Sequence, residues 1–468
     1  MNIRAWIAAL LIVPTMAWGQ TLPSPAVLNL SATGTISAPA FVGALTGTAS
    51  GNATTGALTT ETSRATAAEA GKVPTGIASG VNGGSVDASA TITAGLTANV
   101  SLILPCGTYR LDSAPAIPAN AKGIRGVSPG CVQLNVNFAT GDVFHPTGAG
   151  GNARFEMADL TIYAIVTRTS GAMVHVDGTY GATLRNVAFD GPRYTDVLVD
   201  GANTTKIIDS DFRPGATYTC VTLTGTGTQA VETVISRTNL SGCGTGLYIL
   251  NASGVYLDRM DIVGSQNGGV WIYPTAASSQ AVNAVRAVNV MADTTRAGNG
   301  WTIGGDGQVS EIHIDYGWGA SSGQPASGPF SSTYAGLLAN NPTLDGVQIS
   351  NFYGWHNGGP GIDIEAGKNI QINSPMACMN GAYGSNLYDG IVVGSAVDNI
   401  TITSPTSGLC GYGARPGTVT NFQRYGMNID NNATQNVTVI GGQFPGNLTG
   451  TWVKYAGDAN LRTAATPP

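Results

Sequence analysis

Residues Gly361–Ile372 read GIDIEAGKNIQI, Asp389–Ile402 read DGIVVGSAVDNITI, and Tyr425–Gly442 read YGMNIDNNATQNVTVIGG. Each stretch holds a short run of alternating apolar residues, a turn, and a second such run introduced by Asn. Ile362, Ile364, Ile370 and Ile372 alternate with Asp363, Glu365, Gln371 and Asn373, so one set points inward and the other to solvent. The same unit recurs backwards along the chain. First strands run from Val143, Val174 and Val197 to Met427, and second strands run from Leu160 to Val437. Both series advance together at intervals of roughly 23–36 residues, with no 3.6-period segment between them. A unit this short cannot bury its own apolar edge, so the units must stack. The prediction is an all-β solenoid, a parallel β-helix of triangular rungs. About 11–12 coils at ~4.8 Å span roughly 55 Å. An immunoglobulin-like sandwich would need hairpin turns every ~8–12 residues, which this cadence lacks.

The 468 residues include 65 Gly and 23 Pro, only 10% are charged, and 43% are hydrophobic, enough for a sizeable core. The formal charge is −6 and the 21 basic residues are scattered, so no basic stripe exists to bind nucleic acid or an acidic membrane. Residues 1–19, MNIRAWIAALLIVPTMAWG, have the layout of a secretory signal peptide, with removal expected after Gly19. The apolar run is too short to span a bilayer, and no later run reaches ~18 residues, so no membrane span is expected in the mature chain. The expected destination is secretion or the cell surface, with the periplasm or a virion tail as alternatives. Six cysteines fall into the neighbouring pairs Cys106/Cys131, Cys220/Cys243 and Cys378/Cys410. Fifteen connectivities are formally open. Stacked coils place the members of each pair about one strand spacing apart, within the ~4.4–6.8 Å a disulfide needs. With no C-x-x-C and no Cys/His clustering, neither a metal site nor a cofactor is expected. His145 and His175 have no evident partners.

The segment SLILPCGTYRLDSAPAIPANAKGIRGVSPGC (Ser101–Cys131), followed by GDVF and MADLTIY, resembles the opening of right-handed parallel β-helix proteins of the pectate-lyase-like superfamily. Phage tailspikes and secreted polysaccharide depolymerases share that fold. The likeness covers roughly residues 80–450, and the domain reading is a leader (1–19), a low-complexity stalk (20–95), the β-helix (96–450) and a tail (451–468). The stretch FVGALTGTASGNATTGALTTETSRATAAEAGKV resembles phage tail-fibre stalks, with a short coiled coil at Leu58–Ala70. This resemblance implies a homotrimer; the other reading of the stretch is a flexible linker.

A β-helix aligns outward side chains of equal phase into columns suited to a long repetitive polymer. Tyr248, Trp271 and Tyr273 come from neighbouring coils and, as exposed aromatics, suggest a saccharide groove, although they could equally pack against a partner subunit. Three coils on, Asp363 and Glu365 share one side with Cα atoms about 6.5–7 Å apart. Paired carboxyls are what glycoside hydrolysis requires, and the spacing leans towards inversion. The string NGGPGIDIEAGKNIQI also resembles the strand motif of polygalacturonases, but Asn357-Gly-Gly-Pro360 replaces their N-T-D, and their other motifs are missing. A second cluster, EIHIDYGW, places Glu311, His313 and Asp315 outward, with Trp318 following. A long Gly/Ser/Pro loop then runs to about Ala335 and is expected to bring Trp318 near Trp355 and His356. The two clusters lie on different strand series, hence different faces. Three functions stay open: a glycoside hydrolase, a non-catalytic carbohydrate-binding fibre or adhesin, and a polysaccharide lyase for which Arg259, Arg286 and Arg296 would supply cations.

Overall fold

Period-two alternation buries Ile362, Ile364, Ile370 and Ile372 in one continuous core, where each is at most 1% exposed. The computed structural model describes residues 83–98, 101–147, 154–225, 228–410, 422–430, 436–454 and 462–464. The leader, the Leu58–Ala70 coiled coil and nearly all of the stalk on which the trimer expectation rests lie outside these residues. The described strands form one 33-stranded parallel arrangement of about 13 coils, slightly more than the 11–12 expected. Pairing starts at Gly83–Asp87, which aligns with Gly107–Leu111, and continues to Gly450–Lys454 and Arg462–Ala464, beyond 96–450 on both sides. A helix, Ser89–Ala98, covers the first coil by burying Ile92 and Leu96.

Each coil has three strands rather than the two read from the sequence. One coil is Leu337–Ala339, Asp345–Ser350 and Tyr353–Trp355; in the next, Ile362–Asn373 bends through the first two faces and Met376–Cys378 forms the third. Two residues separate the second strand from the third, and the first of them is left-handed. Tyr316, Asn351, Ser374 and Ser404 fill that position with φ of 52, 54, 49 and 49°. Third strands of three residues show only one full alternation, which is why they carry no visible period.

All three sequential disulfides form. Cys106–Cys131, Cys220–Cys243 and Cys378–Cys410 span 25, 23 and 32 residues, with Cα–Cα distances of 4.8, 5.6 and 5.6 Å. In one respect Cys410 departs from the expectation of cysteines level on adjacent strands. The register partner of Cys378 is Gly408, the last residue of the third-face strand Thr406–Gly408, and Cys410 lies two residues beyond that strand's end. The chain turns back after Gly408, whose φ is 131°, so Cys410 still comes within reach of Cys378. Cys106 is exposed and Cys410 half-buried, whereas Cys220, Cys243 and Cys378 are fully buried. Mild reductant with an alkylating agent should therefore label Cys106 and Cys131 first, leaving Cys220 and Cys243 protected until the chain unfolds. Peptide mapping by mass spectrometry checks this, and equal labelling of all six would contradict it. Removing the Cys220–Cys243 crosslink should cost about 3 kcal/mol, the chain-entropy value for a loop of this order.

Candidate functional site

Outward positions of the first face align in strict register. Tyr248 pairs with Trp271, Trp271 with Thr302, Thr302 with Leu338, Leu338 with Asp363, and Asp363 with Val392. The Tyr248 and Trp271 rings meet edge to face at 5.5 Å, and Trp271 lies 5.8 Å from Tyr273. Gly304 in the next coil leaves room for the Tyr273 ring, because a Cβ there would sit 2.7 Å from Tyr273 Cε2. The three predicted aromatics thus form one cluster on the face that carries Asp363. Three strand steps, ~14 Å, separate Trp271 from Asp363.

Asp363 lies between Leu338 and Val392, so its carboxyl is flanked by hydrocarbon on both sides. Its Oδ1 is closed to solvent and has no hydrogen-bond partner. Burial, reinforced by the negative charges of Glu365 and Asp389, pushes its pKa up to about 7. Glu365, two residues further along the strand, is exposed. Asp389 lies two residues ahead of the first-face strand of the next coil, Ile391–Thr403, and is almost fully buried. Arg424 donates to both of its oxygens, at 2.9 and 2.7 Å, and Tyr425 N–H to Oδ1 at 3.1 Å. Sequence spacing points to Asp363 and Glu365 but not to Asp389, whose bearing on the site depends on the register of the following coil.

The second cluster is apart from the first, on the second face. His313 is in register with Arg286 and Gln348, and its Nδ1 lies 2.9 Å from Gln348 Oε1. Asp315 accepts from Asn351 Nδ2 at 3.1 Å. Arg286, His313, Asp315 and Gln348, together with Val288 and Ser350, line a shallow depression of about 360 Å³. Glu311 sits off that strand surface, at a left-handed bend with φ 56°. The sequence places it in line with His313 and Asp315; the bend breaks the alternation on which that placement relied.

Trp318, Trp355 and His356 do come together, on the third face. Trp318 meets Tyr353 at 4.6 Å and Trp355 at 6.4 Å, and Phe330 of the long loop meets His356 at 5.0 Å. Burial holds the His356 pKa below its ordinary value. The loop is tied to the turn before the Asp363 strand by Gly358 N–H to Ser322 O (2.8 Å) and Gly359 N–H to Tyr334 O (2.9 Å). Trp318 and Trp355 are half-buried with their indole nitrogens closed to solvent, as is that of Trp271 on the first face.

A further cluster is not evident from the sequence. His145 and His175 have close partners: their rings stack at 4.2 Å, 3° from parallel, and Asp142 Oδ2 lies 2.7 Å from His175 Nδ1. Asp142, His145 and His175 each present a possible ligand atom, all within 4.8 Å of one another. They occupy the first face, several coils before Tyr248.

Among the described residues no helix is long and apolar enough to cross a membrane. No protein-family model and no curated protein sequence matches the chain. Solved structures similar to it include the A-module of mannuronan C-5 epimerase AlgE4 from Azotobacter vinelandii, at 14% identity and TM-score 0.48 over 82% of this chain and 98% of that one. Another is PfbA, a surface adhesin of Streptococcus pneumoniae, at 12% identity and TM-score 0.45 over 81% of this chain and 91% of that one. The Dettilon tailspike protein matches at 10% identity and TM-score 0.47 over 81% of this chain and 67% of that one. What these likenesses share with the chain is the parallel β-helix, the fold that its own strand register and core establish.

Proposed function

We propose that the protein is an exported β-helix that binds a polysaccharide along its first face and hydrolyses it. Asp363 is the proton donor and Glu365 the second carboxylate. The observation that carries this reading is the Asp363 carboxyl, wedged between Leu338 and Val392 beside two other acids, where its Oδ1 bonds to nothing and the group keeps its proton to about neutral pH. A carboxylic acid in that state can donate to the glycosidic oxygen as the C–O bond breaks. Water then adds to the anomeric carbon and loses its proton to Glu365, so that two hydroxyl ends replace one bridge. Tyr248, Trp271 and Tyr273 supply ring faces for sugars further along the same column. Three disulfides favour an oxidising compartment, in keeping with export.

Release of new reducing ends from a panel of bacterial surface and exopolysaccharides tests the proposal. Tight binding without release from any glycan would instead favour an adhesin, and unsaturated ends would favour a lyase. On a cleaved substrate Trp271→Ala should raise KM about ten-fold with kcat little changed, because a ring remote from the reacting bond binds ground and transition states alike. A kcat loss at constant KM would place Trp271 in the chemistry instead.

A further inference from the structure

We infer that the second face carries a glycan-binding subsite of its own, the depression around Arg286, His313, Asp315 and Gln348, and that it takes a neutral hexose unit of a polysaccharide by its hydroxyls. The inference rests on the reading of the chain as a polysaccharide-binding β-helix, but not on cleavage at Asp363. Strand register builds the site from three successive coils. Arg286, His313 and Gln348 form one outward column, and Val288, Asp315 and Ser350 form the next, two residues further along each strand. The three strands span ~10 Å along the rod. The volume of the depression, about 360 Å³, falls within the ~300–1,000 Å³ of ligand sites.

Donors and acceptors lie side by side in it. His313 Nδ1 is 2.9 Å from Gln348 Oε1, and a carbonyl oxygen only accepts, so Nδ1 donates and the neutral ring keeps Nε2 as an acceptor. The same bond leaves the Gln348 amide nitrogen with both of its protons to give. Asp315 uses Oδ1 to accept from Asn351 Nδ2 at 3.1 Å, which leaves Oδ2 for a second donor. The Arg286 guanidinium has no hydrogen-bond or ion-pair partner among the described residues. A pyranose presents neighbouring hydroxyls that each donate and accept, and planar guanidinium, carboxylate and amide groups bond such neighbours two at a time. Val288, 39% exposed, and Tyr256, 46% exposed and in register with Arg286, supply apolar surface for the C–H groups of the ring.

Charge decides the class of sugar. Arg286 and Asp315 are the only guanidinium and the only carboxylate lining the depression, and they offset each other. Of the acids beside it, Asp258 is held by Arg259 at 2.8 and 2.9 Å and Asp345 by Lys368 at 3.4 Å. A uronate would face Asp315 and an amino sugar would face Arg286, whereas hydroxyls make use of both. On the first face the same three coils carry Trp271, Thr302 and Leu338, the stretch between the aromatic cluster and Asp363. A polymer engaged on both faces is held twice by one rod, so its second contact forms at a raised effective concentration.

The test uses the Asp363→Asn protein, so that no glycan is consumed, on an array of neutral, uronate-bearing and amino-sugar bacterial glycans. Oligosaccharides cut from the strongest neutral hit are then titrated by calorimetry. Two sites per chain are expected. Arg286→Gln and His313→Ala should each weaken one of them about ten-fold, the worth of a hydrogen bond to a charged or strongly polar group, while Trp271→Ala weakens the other. Tm and the far-ultraviolet spectrum should stay at the parent values, and Arg286, being exposed, gives a variant that folds. One site per chain, weakened by Trp271→Ala and indifferent to Arg286→Gln and His313→Ala, would overturn the inference and leave the first-face reading standing. One site with the opposite sensitivities would support the inference and remove the first-face reading. Retention of no neutral glycan would overturn it. So would an Arg286→Gln variant that alters the oligomeric state and not the glycan affinity, which would mark the face as a contact between copies of this chain.

Discussion

Asp363→Asn should cut polysaccharide cleavage by about 10²–10⁴-fold while leaving glycan binding intact, the range lost when a positioned proton donor is removed. The pH profile of the unmodified protein should share the cause. A proton donor works only while it holds its proton, so cleavage falls as pH rises through about 7, where the Asp363 carboxyl ionises. Glu365→Gln should also abolish cleavage but, lying outside the hydrocarbon pocket, should leave stability nearly unchanged.

The stability of Asp363→Asn separates this reading from that of an ordinary surface acid. The folded-state pKa of Asp363, about 7, is raised above the 3.8 of an unperturbed carboxyl. Between those values the unfolded chain has released the proton and the folded chain still holds it, so stability falls as pH rises through that window. At about 1.4 kcal/mol per unit the full cost is on the order of 4 kcal/mol above pH 7. Asn carries no charge at any pH and avoids it. The variant should therefore melt higher than the parent at about pH 8 and match it near pH 4. Denaturant titrations at the two pH values give the comparison; a variant that gains nothing at the higher pH would show Asp363 to be freely solvated and would remove the basis for its catalytic role.

The parts of this design that were legible in the sequence are those with a period. Ile362, Ile364, Ile370 and Ile372 advertise their face because alternate residues must enter the core, and the cysteines pair because the repeat brings them close, even where Cys410 overshoots its strand by two residues. Residues whose role depends on the neighbouring coil were harder to read. Aligning Val143 with Val174 puts His145 opposite Val176, whereas the true partner of Val174 is Phe144, so a slip of one residue hid the stacked histidines. The pocket of Asp363 likewise depends on Leu338 and Val392, which are distant in sequence and individually unremarked. Glu311 was misplaced by a single left-handed residue, which no period announces. The helix Ser89–Ala98 offers only Ile92 and Leu96 to the core, too sparse a stripe to stand out among Ala and Thr.

Arg193→Met should cost about 3–5 kcal/mol at about pH 8, the penalty for leaving a buried charge without its partner. Both side chains of the Arg193–Asp196 pair are wholly buried. The guanidinium Nε bonds Asp196 Oδ1 and Nη2 lies 3.3 Å from Oδ2, while Nη1 donates to Gly191 O at 2.7 Å and Nη2 also to Arg213 O. Burial raises the Asp196 pKa to about 6 even with the arginine present, so desolvation already outweighs the attraction. Without Arg193 that pKa must rise further, and Asp196 escapes the penalty by taking up a proton. The loss should therefore shrink markedly at about pH 5, and Arg193→Met/Asp196→Leu should recover most of it at either pH, less what the two uncapped carbonyls cost. Chemical denaturation of the single and double variants decides the matter: a loss equal at both pH values, with no recovery in the double variant, would mean that Arg193 matters for its packing and its carbonyl contacts and not as the counter-ion of Asp196.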